Sequence, residues 1–198
     1  MWGDKYRPKN LDELSFGGDV TKRLEKISQK HTLPCLLLYG PPGSGKKTRA
    51  LVLIRSKYGK GVDKTTLFKK NIASCNDINV TSVSSKYHLT INLNKNDNNK
   101  NILKEIIKDI PKFQFKIVLI NNAEVLSESA QQMLCILMEK YHNKCRIILC
   151  CNKSEYLINK LKSYFSRIRV SSPSETELES IIDYVCKNEK IVIPQKLK

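Results

Sequence analysis

The chain has 198 residues, enough to bury one substantial core without disulfide or metal staples. With 40% hydrophobic and 27% charged residues it is not a mostly disordered chain. Thirty-five Lys and Arg against nineteen Asp and Glu give a formal charge of +16, so the surface favours polyanions: phosphate backbones, nucleotides or acidic protein faces.

Met1 to Phe16 is polar and broken by Pro8, which predicts an extended arm. Val20, Leu24 and Ile27 then recur at helical spacing from Asp19, the expected cap, to Lys30. Cys35 to Tyr39 is a short apolar run ending at Gly40, as in a strand buried on both faces of a parallel sheet. A glycine-rich turn follows, then a helix from Lys46 to about Tyr58 that closes at Gly59. Between Asp77 and Leu93 the apolar residues partly follow period two, predicting two strands, and the Asn/Lys-rich stretch from Asn92 to Asn101 reads as an exposed loop. Ile102 to Ile110 is amphipathic, and Phe115 to Ile120 is a second buried strand. Ser127 to Tyr141 reads as a helix, Arg146 to Cys151 as a third buried strand, Ile168 to Val170 as a short last strand, and Glu175 to Asn188 as the start of a new helical unit. Strands alternating with helices define an α/β fold with a parallel sheet flanked by helices.

Seven cysteines are an odd number, and five sit among apolar neighbours, so free buried thiols are expected. No Cys or His spacing suits zinc, and Cys150 and Cys151 would point to opposite faces of a strand. A reducing compartment, cytosol or nucleus, follows from those thiols. No window approaches 18 apolar residues and the N-terminus lacks a signal-type apolar run, so neither a membrane span nor secretion is expected.

Gly40-Pro41-Pro42-Gly43-Ser44-Gly45-Lys46-Lys47-Thr48 lies between a buried strand and a helix, the context in which a P-loop has a mechanism. Glycines let backbone N–H groups converge on phosphate oxygens, the helix N-terminus adds partial positive charge, and Lys46 reaches the β- and γ-phosphates. The position after Lys46 should carry a hydroxyl for Mg²⁺ but is Lys47. Thr48 comes one residue later, about a hundred degrees further round the helix, which makes it a poor substitute.

In ATPases of this topology a second buried strand ends in two carboxylates, one for the metal and one to polarise water. Here it ends in Asn121 and Asn122, amides with no charge for a divalent ion and no basicity near neutral pH. Glu124 is the remaining acid, either a shifted catalytic carboxylate or a cap for the next turn. Asn152, at the end of the third strand, either orients water and senses a γ-phosphate or caps the helix that follows.

Several segments together resemble the replication factor C small subunits, most closely the subunit 3 branch (subunit 5 in yeast). They are Trp2-Gly-Asp-Lys-Tyr-Arg-Pro-Lys-Asn-Leu-Asp-Glu-Leu14, Leu38-Tyr-Gly-Pro-Pro-Gly-Ser-Gly-Lys-Lys-Thr-Arg49, Tyr87-His-Leu89, Ala130-Gln131, Met138-Glu-Lys-Tyr141 and Cys145-Arg-Ile-Ile-Leu-Cys-Cys-Asn152. The resemblance implies an AAA+ fold with a RecA-like P-loop core over residues 1–172 and the start of a helical lid over 173–198. The rest of the lid and the C-terminal collar would be absent. It further implies a nuclear hetero-pentamer that loads the sliding clamp, PCNA, onto primer–template DNA in replication and repair. On that resemblance Tyr6, Arg7 and Pro8 lie near the adenine of ATP or ADP, Lys46 and the loop amides hold the phosphates, and Asn152 is the first sensor.

The departures point away from catalysis. Where the family carries the arginine of a Ser-Arg-Cys motif this chain has Tyr164, followed by Phe165, and Arg167 is two residues away from that place. An arginine pair common before Met138 is replaced by Cys135 and Ile136. The sequence therefore predicts a ring subunit that binds nucleotide and leaves hydrolysis to its neighbours. The alternatives are an active AAA+ DNA-dependent ATPase or helicase-type motor using Glu124, and a small-molecule phosphoryl-transfer enzyme. For the latter the only histidines, His31, His88 and His142, read as surface or packing residues.

Overall fold

A computed structural model describes residues 2–72, 78–94, 99–109 and 115–191. Seven strands form one sheet: β1 (Leu36–Tyr39), β2 (Thr66–Ile72), β3 (Ile78–Ser84), β4 (His88–Asn92), β5 (Lys116–Asn121), β6 (Cys145–Cys151) and β7 (Ser166–Arg169). Their order is β2-β3-β4-β5-β6-β1-β7. β4, β5, β6, β1 and β7 run parallel, and of these β1, β5 and β6 are the strands that the buried apolar runs predict. The sheet is nevertheless mixed, because β2 and β3 pair antiparallel with each other and β3 pairs antiparallel with β4. Two strands were expected between Asp77 and Leu93, and β3 and β4 are those two; β2 is a third. Its sequence, Thr66-Leu-Phe-Lys-Lys-Asn-Ile72, has no alternation to announce a strand.

The helices are α1 (Trp2–Lys5), α2 (Gly18–Ser28), α3 (Lys46–Tyr58), α4 (Asn99–Asp109), α5 (Glu128–Lys140), α6 (Asn159–Ser163) and α7 (Glu175–Glu189). The strands' side chains alternate between two cores, as a period of two requires. Leu37, Val118, Ile120, Leu149 and Cys151 pack with α4, α5 and α6 on one face. Leu36, Leu38, Ile117, Leu119, Ile148 and Cys150 pack with α2 and α3 on the other. Cys150 and Cys151 thus do point to opposite faces. The six described cysteines are free thiols, and Cys75 lies outside the described residues. No described helix is long and apolar enough to cross a membrane.

The N-terminal arm is not simply extended, since α1 opens it and a 3-10 turn follows at Leu11–Glu13. Asp19 does not cap α2 either. The cap position is Gly17, in the left-handed region at φ 68°, and Asp19 lies inside the first turn. Ser127 caps α5 by accepting from the Ala130 N–H, and Ser174 and Glu177 form a reciprocal capping box on α7. The exposed loop read between Asn92 and Asn101 is only partly described. Asn92 ends β4, Asn99 opens α4 with its amide on the Val125 carbonyl, and residues 95–98 lie outside the described residues.

The turn between β3 and β4 is organised by a buried pair. Ser85 Oγ lies 2.7 Å from His88 Nδ1 and accepts from the backbone N–H groups of Tyr87 and His88. His31 and His142 are exposed, whereas His88 is a packing residue, and burial, reinforced by the nearby Lys116 ammonium and opposed by Asp63, lowers its pKa. The unfolded chain, with a histidine near pH 6.5, therefore binds the proton first as pH falls. Stability should be fully present above about pH 6.5 and decline below it, and His88→Gln should flatten that part of a urea-midpoint profile. A wild-type midpoint unchanged across this window contradicts the assignment.

Candidate functional site

The loop joining β1 to α3 opens at the carboxyl ends of the parallel strands, where open α/β sheets bind ligands. Gly40 begins it at φ 153°, and a Cβ there would meet the Val170 carbonyl oxygen at 1.9 Å. Glycine is required because β7 closes directly against the loop. Gly43 and Gly45 follow at φ 79° and 76°, turning the chain into α3. Lys46 curls back across the loop and donates to the carbonyls of Gly40 and Pro41, both at 2.7 Å. Partial burial of this ammonium lowers its pKa, against the opposing pull of Cys150 and Glu124. A half-buried ammonium beside a curled backbone is the donor set that phosphate oxygens need.

A cleft of about 470 Å³ lies over this loop. Its walls are Pro42, Gly43, Gly45, Lys46, Lys47 and Thr48 on the loop side, with Arg7 reaching in from the arm. Asn92, Asn121, Asn122, Cys150, Cys151 and Asn152 close it from the ends of β4, β5 and β6. Tyr6, Pro8 and Ser44 do not line it. Tyr6 faces α7 instead, its hydroxyl donating to Glu189 and its ring edge-on to Tyr184. Ser44 is buried beneath the loop. The two cysteine thiols in the wall are pushed up to about 12 by burial, so they stay protonated and chemically quiet.

The second strand end is neutral. Asn121 donates to Asn92 Oδ1 at 2.8 Å, and Asn122, in the left-handed region, donates to the Leu93 carbonyl at 3.0 Å. Glu124 neither caps a helix nor stands free. Its two oxygens take the Asn152 side-chain amide at 2.6 Å and the Asn152 backbone N–H at 3.2 Å. Asn152 does not cap the turn that follows it, which begins at Lys153 without a side-chain cap. The acid and the sensor candidate are thus each other's partners.

The profile of the ATPase family associated with various cellular activities (AAA) matches residues 36–173, which include the loop, every residue lining the cleft except Arg7, and all five parallel strands. The chain belongs to the AAA family. Among relatives, replication factor C subunit 3 of Homo sapiens is 34% identical over 209 residues, covering 100% of this chain and 59% of the relative. Replication factor C subunit 5 of Saccharomyces cerevisiae is 36% identical over 214 residues, covering 99% and 60%. The chain therefore spans about three-fifths of the length of the curated relatives it matches. Thermotoga maritima RuvB, described as a Holliday junction branch migration motor, superimposes with a TM-score of 0.66 over 96% of this chain and 56% of its own, at 17% identity. That likeness is one of fold.

As an AAA member the chain has a P-loop nucleotide-binding fold, and the remaining residues describe its own version. Thr48, the candidate metal hydroxyl, accepts a hydrogen bond from Arg7 Nη1 at 2.9 Å. Among the described residues no three His, Cys, Asp or Glu side chains group to hold a metal ion. The oxygens lining this AAA cleft are the engaged Thr48 hydroxyl and uncharged amides, with no carboxylate, a donor set that does not fit Mg²⁺. Tyr164, in the family arginine's place, is half-buried and donates to Glu139, while Arg167 is exposed on the edge strand β7. Cys135 is buried and Ile136 is 61% exposed, so the replaced arginine pair leaves one packing residue and one bare apolar side chain on α5.

The residue that sequence reasoning missed is Arg49. It is buried to 1% exposure beneath the loop, donating to the carbonyls of Ser44 and Phe16, with its guanidinium 4.3 Å from the Phe16 ring centre. Gly17 and Gly45 hem it in: a Cβ on either would stand 2.8 and 3.0 Å from its terminal nitrogens. Its place on the apolar face of α3, one turn before Leu53, was the available signal. A lysine could not span both carbonyls or lie flat on the ring. Arg49→Lys should thus cost about 1–3 kcal/mol of stability, read as a lower urea midpoint. An unchanged midpoint contradicts the fork.

Proposed function

We propose that this chain is the nucleotide-holding part of a replication factor C subunit that binds ATP or ADP with little or no hydrolysis. On this reading it works in the nucleus with other replication factor C subunits in a hetero-pentamer, loading the sliding clamp PCNA onto primer–template DNA during replication and repair. The relatives' names support the assembly, and a formal charge of +16 suits a protein that works beside a phosphate backbone. The observation that carries the nucleotide reading is the pairing of the Lys46 loop with the neutral Asn121 and Asn122, across a cleft lined by no acid, with Glu124 behind it bound to Asn152.

Residues 1–172 form the nucleotide-binding core in this reading, and α7 begins a helical lid over 173–198. No α7 residue is fully buried, and Leu178 and Tyr184 are exposed, which fits a helix that packs against others. The adenine would sit beside the arm at Tyr6, Arg7 and Pro8, of which Arg7 alone lines the cleft, with its phosphates on Lys46 and the amides of Gly43, Ser44, Gly45, Lys47 and Thr48. Asn152 is the proposed sensor. Its route to a phosphate runs through its exchange of Glu124 for that partner.

Calorimetry on the purified chain should give a micromolar Kd for ADP, raised by about tenfold or more in Lys46→Ala. Phosphate release should remain far below about 1 per second, an ordinary enzyme rate. Turnover at that rate, abolished by Glu124→Gln, would establish the active motor instead.

A further inference from the structure

We propose that the cleft binds the polyphosphate of its nucleotide without a divalent cation, the guanidinium of Arg7 supplying charge where P-loop proteins place the metal. This rests on the nucleotide reading above and adds the ionic form of the ligand to it. Mg²⁺ requires near-octahedral oxygen ligands and keeps several waters, usually anchored by one or two carboxylates as well as the phosphates. No carboxylate lines the cleft, its one lining hydroxyl is engaged, and its other side-chain oxygens are uncharged amides. The residue after Lys46 is a lysine, and the Thr48 hydroxyl already accepts from Arg7 at 2.9 Å. Asn121 Oδ1 has no partner but is sealed from solvent, where a hydrated ion cannot reach it. Both oxygens of Glu124 are held by Asn152.

The charge balance points the same way. Arg7, Lys46 and Lys47 line the cleft and no carboxylate does. Arg7 also touches Asp4 at 3.0 Å, but that carboxylate is 72% exposed and its pull is screened by water. The fork of Arg7 can donate to two phosphate oxygens at once, whereas a metal placed among three cations would be repelled by all of them. The nucleotide's negative charge is thus matched by side chains alone.

The test is titration of the full chain with ADP in EDTA and again in millimolar MgCl₂. The two dissociation constants should agree within about threefold, and Arg7→Gln should weaken ADP binding about tenfold in EDTA. Mn²⁺ added to the protein with ADP should show by electron paramagnetic resonance no bound ion beyond that held by ADP alone. Tightening by Mg²⁺ of more than about threefold, a protein-bound Mn²⁺ signal, or full affinity in Arg7→Gln each overturns the inference and leaves nucleotide binding standing. Failure to bind ADP in either buffer overturns the nucleotide reading and this inference with it.

Discussion

A single buried cation organises the loop region. Arginine does not deprotonate in a protein interior, so its charge has to be answered by oxygens and ring faces rather than shed. Arg49 finds the Ser44 carbonyl on the loop, the Phe16 carbonyl at the end of the arm, and the Phe16 ring beneath it, while Glu177 from α7 adds an opposing charge nearby. Three separate stretches of chain therefore converge on one planar group. The left-handed Gly17 follows from this convergence, because a side chain there would strike the guanidinium. The shape of the phosphate loop is thus set from below as well as by its own glycines.

Above the loop, the sheet decides what the cleft contains. Parallel pairing of β4, β5 and β6 brings Asn92, Asn121 and Cys150 to the same level, since Asn92 is in register with Asn121 and Asn121 with Cys150. That row lacks negative charge. The acid two residues past the strand pair, Glu124, turns sideways to the next loop and binds Asn152. Phosphate-holding and bond-breaking groups are separable parts of this architecture, and here the strand ends carry amides in the second place.

The elements legible in the sequence were those with strong local causes. A continuous apolar run ending in glycines and lysine identifies β1, the loop and α3 together, and the alternating burial of Cys150 and Cys151 follows from strand geometry alone. The amides at Asn121 and Asn122 were equally visible, because their chemistry depends on residue type. What escaped depended on distant partners. Glu124 and Asn152 are 28 residues apart, and Arg7 and Thr48 are 41 apart, so neither contact leaves a periodic trace. At Gly17 local preference misled: Asp19 is the better capping residue, yet crowding by Arg49, 32 positions on, favours the glycine. The strand β2 escaped because its lysines interrupt any alternation.

Neighbouring residues of the arm are fastened to different bodies. Tyr6 is tied to α7, through Glu189 and the ring of Tyr184, and Lys5 joins it by an ion pair of 2.7 Å to the same carboxylate. Arg7, one peptide later, is tied to Thr48 on the first turn of α3. Two adjacent residues cannot separate by more than a single peptide's reach, about 3.8 Å between their Cα atoms. The arm is accordingly a short tether: a swing of α7 beyond the reach of these side chains must release one of its two moorings or drag Arg7 off the phosphate loop.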